Sequence, residues 1–254
     1  MKPLILLTND DGIHAEGILR LRDALQPLGA VTVVAPDRPR SASGHAITLH
    51  KPLRVTAAHL MDGSPGLATS GTPSDCVTLG CLDLLPRRPD LVFSGINDGS
   101  NLGFDLTYSG TVSAAMEGCI QGVTSVAISL VRPSTLEPNY DEAAQFARTL
   151  AERLLEKPLP AHVLLNVNVP QRPEGVAGVR GTHQGVRRYP GEVDKRTDPW
   201  GRVYYWLGGS PPEDQMDHGS DVEAVATGFI SVMPVHMDLT DSRLLDDLRS
   251  WFSG

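Results

Sequence analysis

Short apolar runs alternate with amphipathic helical stretches through the first two-thirds of the chain, and that rhythm restricts the fold more than any other feature. The runs at 4–7, 30–35, 90–94, 124–130 and 163–169 are rich in Val, Ile and Leu, as strands covered on both faces must be. Between them, residues 16–28 place Ile18, Leu19, Leu21, Leu25 and Leu28 on one helical stripe closed by Gly29. A second helix is predicted over 73–85, with Pro73 near its first turn. A third, over 110–122, is made of small residues. A fourth, over 140–155, sets Ala143, Ala147, Leu150 and Leu154 in one row. A small hairpin is expected from 46–49 and 53–56. The expectation is an α/β fold: a mostly parallel sheet with helices on both faces, with an α/β core occupying 1–170.

From about Pro170 the rhythm fails. Residues 171–254 form a C-terminal part with a projecting arm at about 185–212, rich in Arg, Gly, Pro and aromatics. Within it, 202–207 reads as one strand of a hairpin. A short helix at 221–226, a final core strand at 229–234 and a terminal helix at 241–251 complete the chain. The arm is too long for a tight connection and too apolar for a free linker, so it is expected to pack on another subunit.

Composition removes several classes of function. A formal net charge of −8, with 20% charged residues, gives no basic footprint for polymeric nucleic acid. An acidic protein can still hold an anionic ligand where a bound cation reverses the local field. No run of about 18 apolar residues predicts a membrane span, and the first strand starts without the pattern of a secretory signal. Cys76, Cys81 and Cys119 are odd in number and form no CxxC pair. Free thiols in a cytoplasmic protein are expected, and zinc is not.

Three polar clusters follow three separate strands: Asn9-Asp10-Asp11, the segment Ser41-Ala42-Ser43-Gly44-His45, and Gly95 to Gly103 containing Asn97, Asp98 and Asn101. In an open parallel sheet the carboxyl ends of the strands lie along one edge, where ligands bind. Convergence of the three clusters is therefore expected. Adjacent carboxylates at a strand end are either an acidic turn or a pair with a counter-ion, commonly a metal. Carboxylate, hydroxyl and amide oxygens are hard donors that suit Mg²⁺ or Mn²⁺.

A fourth cluster, Tyr108-Ser109-Gly110-Thr111, opens the small-residue helix. It offers either a phosphate cradle of backbone N–H groups and hydroxyls or simple N-capping by Ser109. At Thr72-Pro73, capping is the expected role. His14 and His45 lie near the proposed crevice with no role assigned. The glycines at 95, 99 and 103 do not form GxGxxG, and the P-loop pattern is absent. Asp10 and Asp11 are adjacent rather than two apart, which disfavours a phosphoaspartate intermediate.

In order and spacing, Thr8-Asn9-Asp10-Asp11-Gly12, Ala35-Pro36-Asp37-Arg38, Ser41-Ala42-Ser43-Gly44, Gly71-Thr72-Pro73, Gly95-Ile96-Asn97, Asn101-Leu102-Gly103 and Tyr108-Ser109-Gly110-Thr111 resemble the SurE family. The resemblance covers essentially the whole chain. It implies a three-layer, Rossmann-like α/β/α core and an arm and terminal helix exchanged in a homodimer or homotetramer. It implies a phosphomonoesterase acting on nucleoside 5′- and 3′-monophosphates and on short polyphosphate. It further implies one divalent metal ion per subunit, held by Asp10, Asp11, Ser41 and Asn97, with Asn101, Ser109, Gly110 and Thr111 near the phosphate. Asp10 is the expected catalytic carboxylate, both ligand and orienter or base for the attacking water. Asp98 departs from the neutral or basic residue the family often has there, and is expected to point to solvent. The alternative is a non-catalytic, metal-dependent nucleotide sensor.

Overall fold

The computed structural model describes residues 2–208 and 212–252. The chain runs β1 (Leu4–Thr8), α1 (Glu16–Leu25), β2 (Ala30–Pro36), β3 (Val55–His59), β4 (Pro65–Thr69) and α2 (Pro73–Leu79). It continues through β5 (Leu91–Asp98), α3 (Gly110–Ile120), β6 (Thr124–Val131), α4 (Asp141–Glu156) and β7 (Val163–Pro170). The C-terminal part holds β8 (Gly178–Gly181), β9 (Val186–Arg188), β10 (Glu192–Thr197), β11 (Val203–Gly208) and β12 (Glu213–Gln215). It ends with α5 (Asp221–Ala226), β13 (Phe229–His236) and α6 (Leu245–Trp251).

Nine strands form one sheet in the order β3-β4-β2-β1-β5-β6-β7-β13-β8. All pairs from β4 through β7 are parallel; β3 against β4 and β13 against β7 are antiparallel. The strand alternation sends Ile5 and Leu7 of β1 into a core shared with α1 and α4, while Leu4 and Leu6 meet Cys76, Val77 and Ala114 of α2 and α3 on the opposite face. That two-sided burial is the reason the strands read as apolar runs. The mostly parallel sheet flanked by helices agrees with the α/β expectation.

Several boundaries differ from expectation, each for a local reason. No strand forms at 46–49; Thr48 is captured by Asp75, which accepts from its backbone N–H at 2.9 Å and its hydroxyl at 2.7 Å. The hairpin lies downstream instead, as β3 and β4. Helix α1 stops at Leu25 rather than 28, because Pro27 has no N–H to extend the ladder. Helix α2 passes at Gly80 into a π-helical turn that ends at Leu84. Strand β5 runs on past Ser94 through a bulge to Asp98. Gly95 makes that bulge possible, since its φ is +139° and a Cβ there would overlap the Ile128 carbonyl oxygen.

Strands β10 and β11 pair as a hairpin that is exposed along its whole length. Residues 209–211 of the expected arm lie outside the described residues. Among the described residues, no helix is long and apolar enough to cross a membrane. The three cysteines are free, and burial pushes the Cys76 thiol up to about 12.

Candidate active site

The edge formed by the carboxyl ends of β1 and β5 and the loop after β2 opens into a cleft of about 440 Å³. Asp10, Asp11, Ser41, Asn97, Asn101 and Ser109 all line it. Six of the eight residues singled out in the sequence thus meet at one place. The other two, Gly110 and Thr111, are in contact with Asp10.

The turn after β1 is fixed by Asn9 rather than used as a ligand. Its amide oxygen accepts from Gly12 N–H at 3.1 Å and its amide nitrogen donates to the Gly12 carbonyl at 2.9 Å. Asp10 is buried, and its Oδ1 accepts a 2.5 Å hydrogen bond from the Thr111 hydroxyl. The Asp10 carbonyl accepts from Arg40 N–H at 2.7 Å, so the residue before Ser41 is fastened to the turn after β1 through the backbone. Farther along the same loop, Gly44 N–H reaches the Tyr108 carbonyl at 3.1 Å and His45 Nε2 meets Glu117 at 3.1 Å. Glu117 is a buried carboxylate that also accepts from Thr78 and Gln121. His45 therefore holds the loop, and His14 is exposed outside the cleft lining.

Asn97 donates its amide to the Gly99 carbonyl at 2.8 Å, which leaves its side-chain oxygen as the acceptor available to the cleft. Asp98 does not simply point to solvent as expected. Arg132 grips both its oxygens at 2.7 Å, so the extra carboxylate is neutralised at the cleft margin.

Ser109 caps α3, accepting from Val112 N–H at 3.1 Å. The same hydroxyl keeps its proton to donate into the cleft, so capping and ligand contact do not compete. At Gly110 the space is taken: a Cβ would sit 2.8 Å from Asp10 Cβ and 3.0 Å from Ser43 Oγ. Thr72 instead makes a full capping box with Asp75, as expected.

Four positions that hold the site were not anticipated. Asn166 and Asn168 of β7 both donate to the Asn101 carbonyl, at 2.8 and 3.0 Å, and Asn168 accepts from Asn101 N–H at 2.9 Å. Asn101 then donates to Ser129 at 2.7 Å. The carboxylate of Asp221, at 0% exposure, accepts from the backbone of Gly103 at 2.9 Å and Gly185 at 2.8 Å. Arg187 joins Asp105, Asp214 and Ser100. The one available sequence signal was the alternation Leu164-Asn166-Asn168, which places amides on an otherwise apolar strand face.

Burial pushes the carboxyl groups of Asp10 and Asp11 above the ordinary range, Asp11 to about 6 with the Asp10 charge adding to the effect. Among the described residues, no basic side chain contacts either carboxylate to offset it. Among the described residues no group of three or more His, Cys, Asp or Glu side chains gathers. The cleft thus offers two under-compensated carboxylates beside neutral hydroxyl and amide oxygens. That donor set fits a hard divalent cation and not zinc.

Fold and cleft together define an open-sheet α/β protein with an acidic, oxygen-lined site at the carboxyl edge. The family model described as survival protein SurE matches residues 5–191, and the chain belongs to the SurE family. It is 52% identical over 248 residues to the 5′-nucleotidase SurE of Geobacter sulfurreducens, covering 97% of this chain and 93% of that one. It is 48% identical to the 5′-nucleotidase SurE of Chloroflexus aggregans, covering 97% and 98%. The crystal structure of the Sure protein from Aquifex aeolicus superposes with a TM-score of 0.83 at 41% identity, covering 98% of this chain and 99% of that one.

Proposed function

We propose that the protein is a metal-dependent nucleotidase that releases phosphate from nucleoside 5′- and 3′-monophosphates, and from short polyphosphate. The observation that carries this reading is the gathering of Asp10, Asp11, Ser41 and Asn97 around one cleft beside the start of α3. The names of the relatives from Geobacter sulfurreducens and Chloroflexus aggregans support the 5′-nucleotidase part.

Asp10, Asp11, Ser41 and Asn97 would hold one divalent ion, Mg²⁺ or Mn²⁺. Such an ion neutralises phosphate charge and lowers the pKa of a bound water. Phosphoryl transfer then asks the protein for alignment and charge stabilisation rather than covalent chemistry. Asp10 orients the attacking water in line with the leaving ribose oxygen and accepts its proton. The Thr111 hydroxyl, bonded to Oδ1, fixes which way the carboxylate faces. Ser109, Gly110 N–H and Thr111 N–H stabilise charge on the transferred phosphoryl group, with Asn101 beside them. The test is phosphate release from a panel of 5′- and 3′-nucleotides and polyphosphate with each divalent ion. Release should vanish in excess chelator and return with Mn²⁺ or Mg²⁺. Full activity in chelator would rule the reading out.

The hairpin of β10 and β11 supports assembly into a homodimer or homotetramer. Tyr205, Trp206 and Leu207 are exposed on a two-stranded ribbon with little core of its own. The domain division at about residue 170 and the exchange of the arm and terminal helix between subunits belong to the same reading. Deleting 192–208 should lower the mass measured by light scattering, and an unchanged mass would contradict it.

A further inference from the structure

The cleft holds more than a phosphate site. At about 440 Å³ it falls within the roughly 300–1,000 Å³ that accommodates small organic ligands. Most of its lining residues are polar, and two tyrosines open onto it, Tyr108 at 68% exposure and Tyr189 at 57%. Both are braced on Asp105. The Tyr189 hydroxyl donates to the Asp105 carboxylate at 2.8 Å, and Tyr108 N–H donates to the Asp105 carbonyl at 3.0 Å. Arg187 pairs with the same carboxylate at 3.1 Å while its other nitrogens hold Asp214, so the Asp105 charge is partly offset and the brace is fixed in place.

Tyr108 also precedes Ser109, the first residue of the phosphate cradle, and its carbonyl accepts from Gly44 N–H in the Ser41 loop. Of the described residues lining the cleft, these two alone carry aromatic rings. The apolar face of a bound heterocycle has no other large partner there.

We propose that Tyr108 and Tyr189 form the nucleobase subsite, stacking on the heterocycle while the phosphate lies at the Asp10 end. This rests on the nucleotidase reading and adds its specificity determinant. Stacking accepts any base, because every base has a π face, so the subsite selects nucleotides over other phosphomonoesters without choosing among bases.

The test compares a nucleoside 5′-monophosphate with ribose 5-phosphate, which differ by the base alone. Stacking on one aromatic side chain predicts that Tyr189→Ala and Tyr108→Ala each lower the ratio of kcat/KM for the nucleotide to that for ribose 5-phosphate by about tenfold. The change should appear mainly in KM for the nucleotide. Tyr189→Phe, which keeps the ring but loses the bond to Asp105, should retain most of the ratio. A ratio unchanged in both alanine variants, or equal losses on both substrates, overturns the subsite. Failure of the nucleotidase reading looks different: the wild-type protein then releases no phosphate from the nucleotide at all.

Discussion

Asp10→Asn should abolish phosphate release, by about a thousandfold or more, while the metal-free protein melts at the same temperature or higher. The two halves of this result have one cause. Asp10 is buried with its carboxyl group pushed up by desolvation, and the Thr111 hydroxyl is its side-chain donor. Asparagine preserves the shape and the Oδ1 acceptor for Thr111 but removes a charge that the apo fold holds at a cost. It also removes a carboxylate ligand and the proton acceptor, and catalysis by charge and alignment tolerates neither loss. Mn²⁺ should raise the melting temperature of the wild type by mass action and leave the variant almost unmoved. A variant that retains turnover, or collapses on thermal melting, would show Asp10 to be structural.

Asp221→Ala should cost about 3 kcal/mol of stability and lower Tm by roughly 10 °C. Its carboxylate accepts from Gly103 N–H and Gly185 N–H at full burial, tying the loop after β5 to the segment before β9. Truncation strands both donors without water, at about 1–3 kcal/mol each, partly offset by removing a buried charge. The affected loop carries Asn101 into the cleft, so kcat/KM should fall along with Tm. Thermal melting and steady-state kinetics on the same preparation check both. A variant with wild-type stability would mean that the two N–H groups find other acceptors.

The sheet was legible because burial on both faces leaves continuous apolar runs, and the strand-end rule then placed Asp10, Ser41 and Asn97 along one edge. The misplaced hairpin shows where this reasoning stops. Ile47, Thr48 and Leu49 alternate like a strand, but Thr48 answers to Asp75 in a distant helix cap. Val55–His59 pairs on the sheet's outer edge with mixed exposure and leaves little periodic trace. Short strands such as β8, β9 and β12 carry no period at all. The supports of the site were hidden for a related reason. Asn168, Asp221 and Arg187 act on residues more than sixty positions away, and only the folded topology brings them together. Asp221 is also an ordinary acidic residue in the first turn of α5, so nothing in the sequence marks it out.

The most direct examination of the whole account is anomalous diffraction at the manganese edge from crystals equilibrated with Mn²⁺. A single strong peak within ligand distance of oxygens from Asp10, Asp11, Ser41 and Asn97 is the expected result. A peak elsewhere, or none at a concentration that supports turnover, would contradict it.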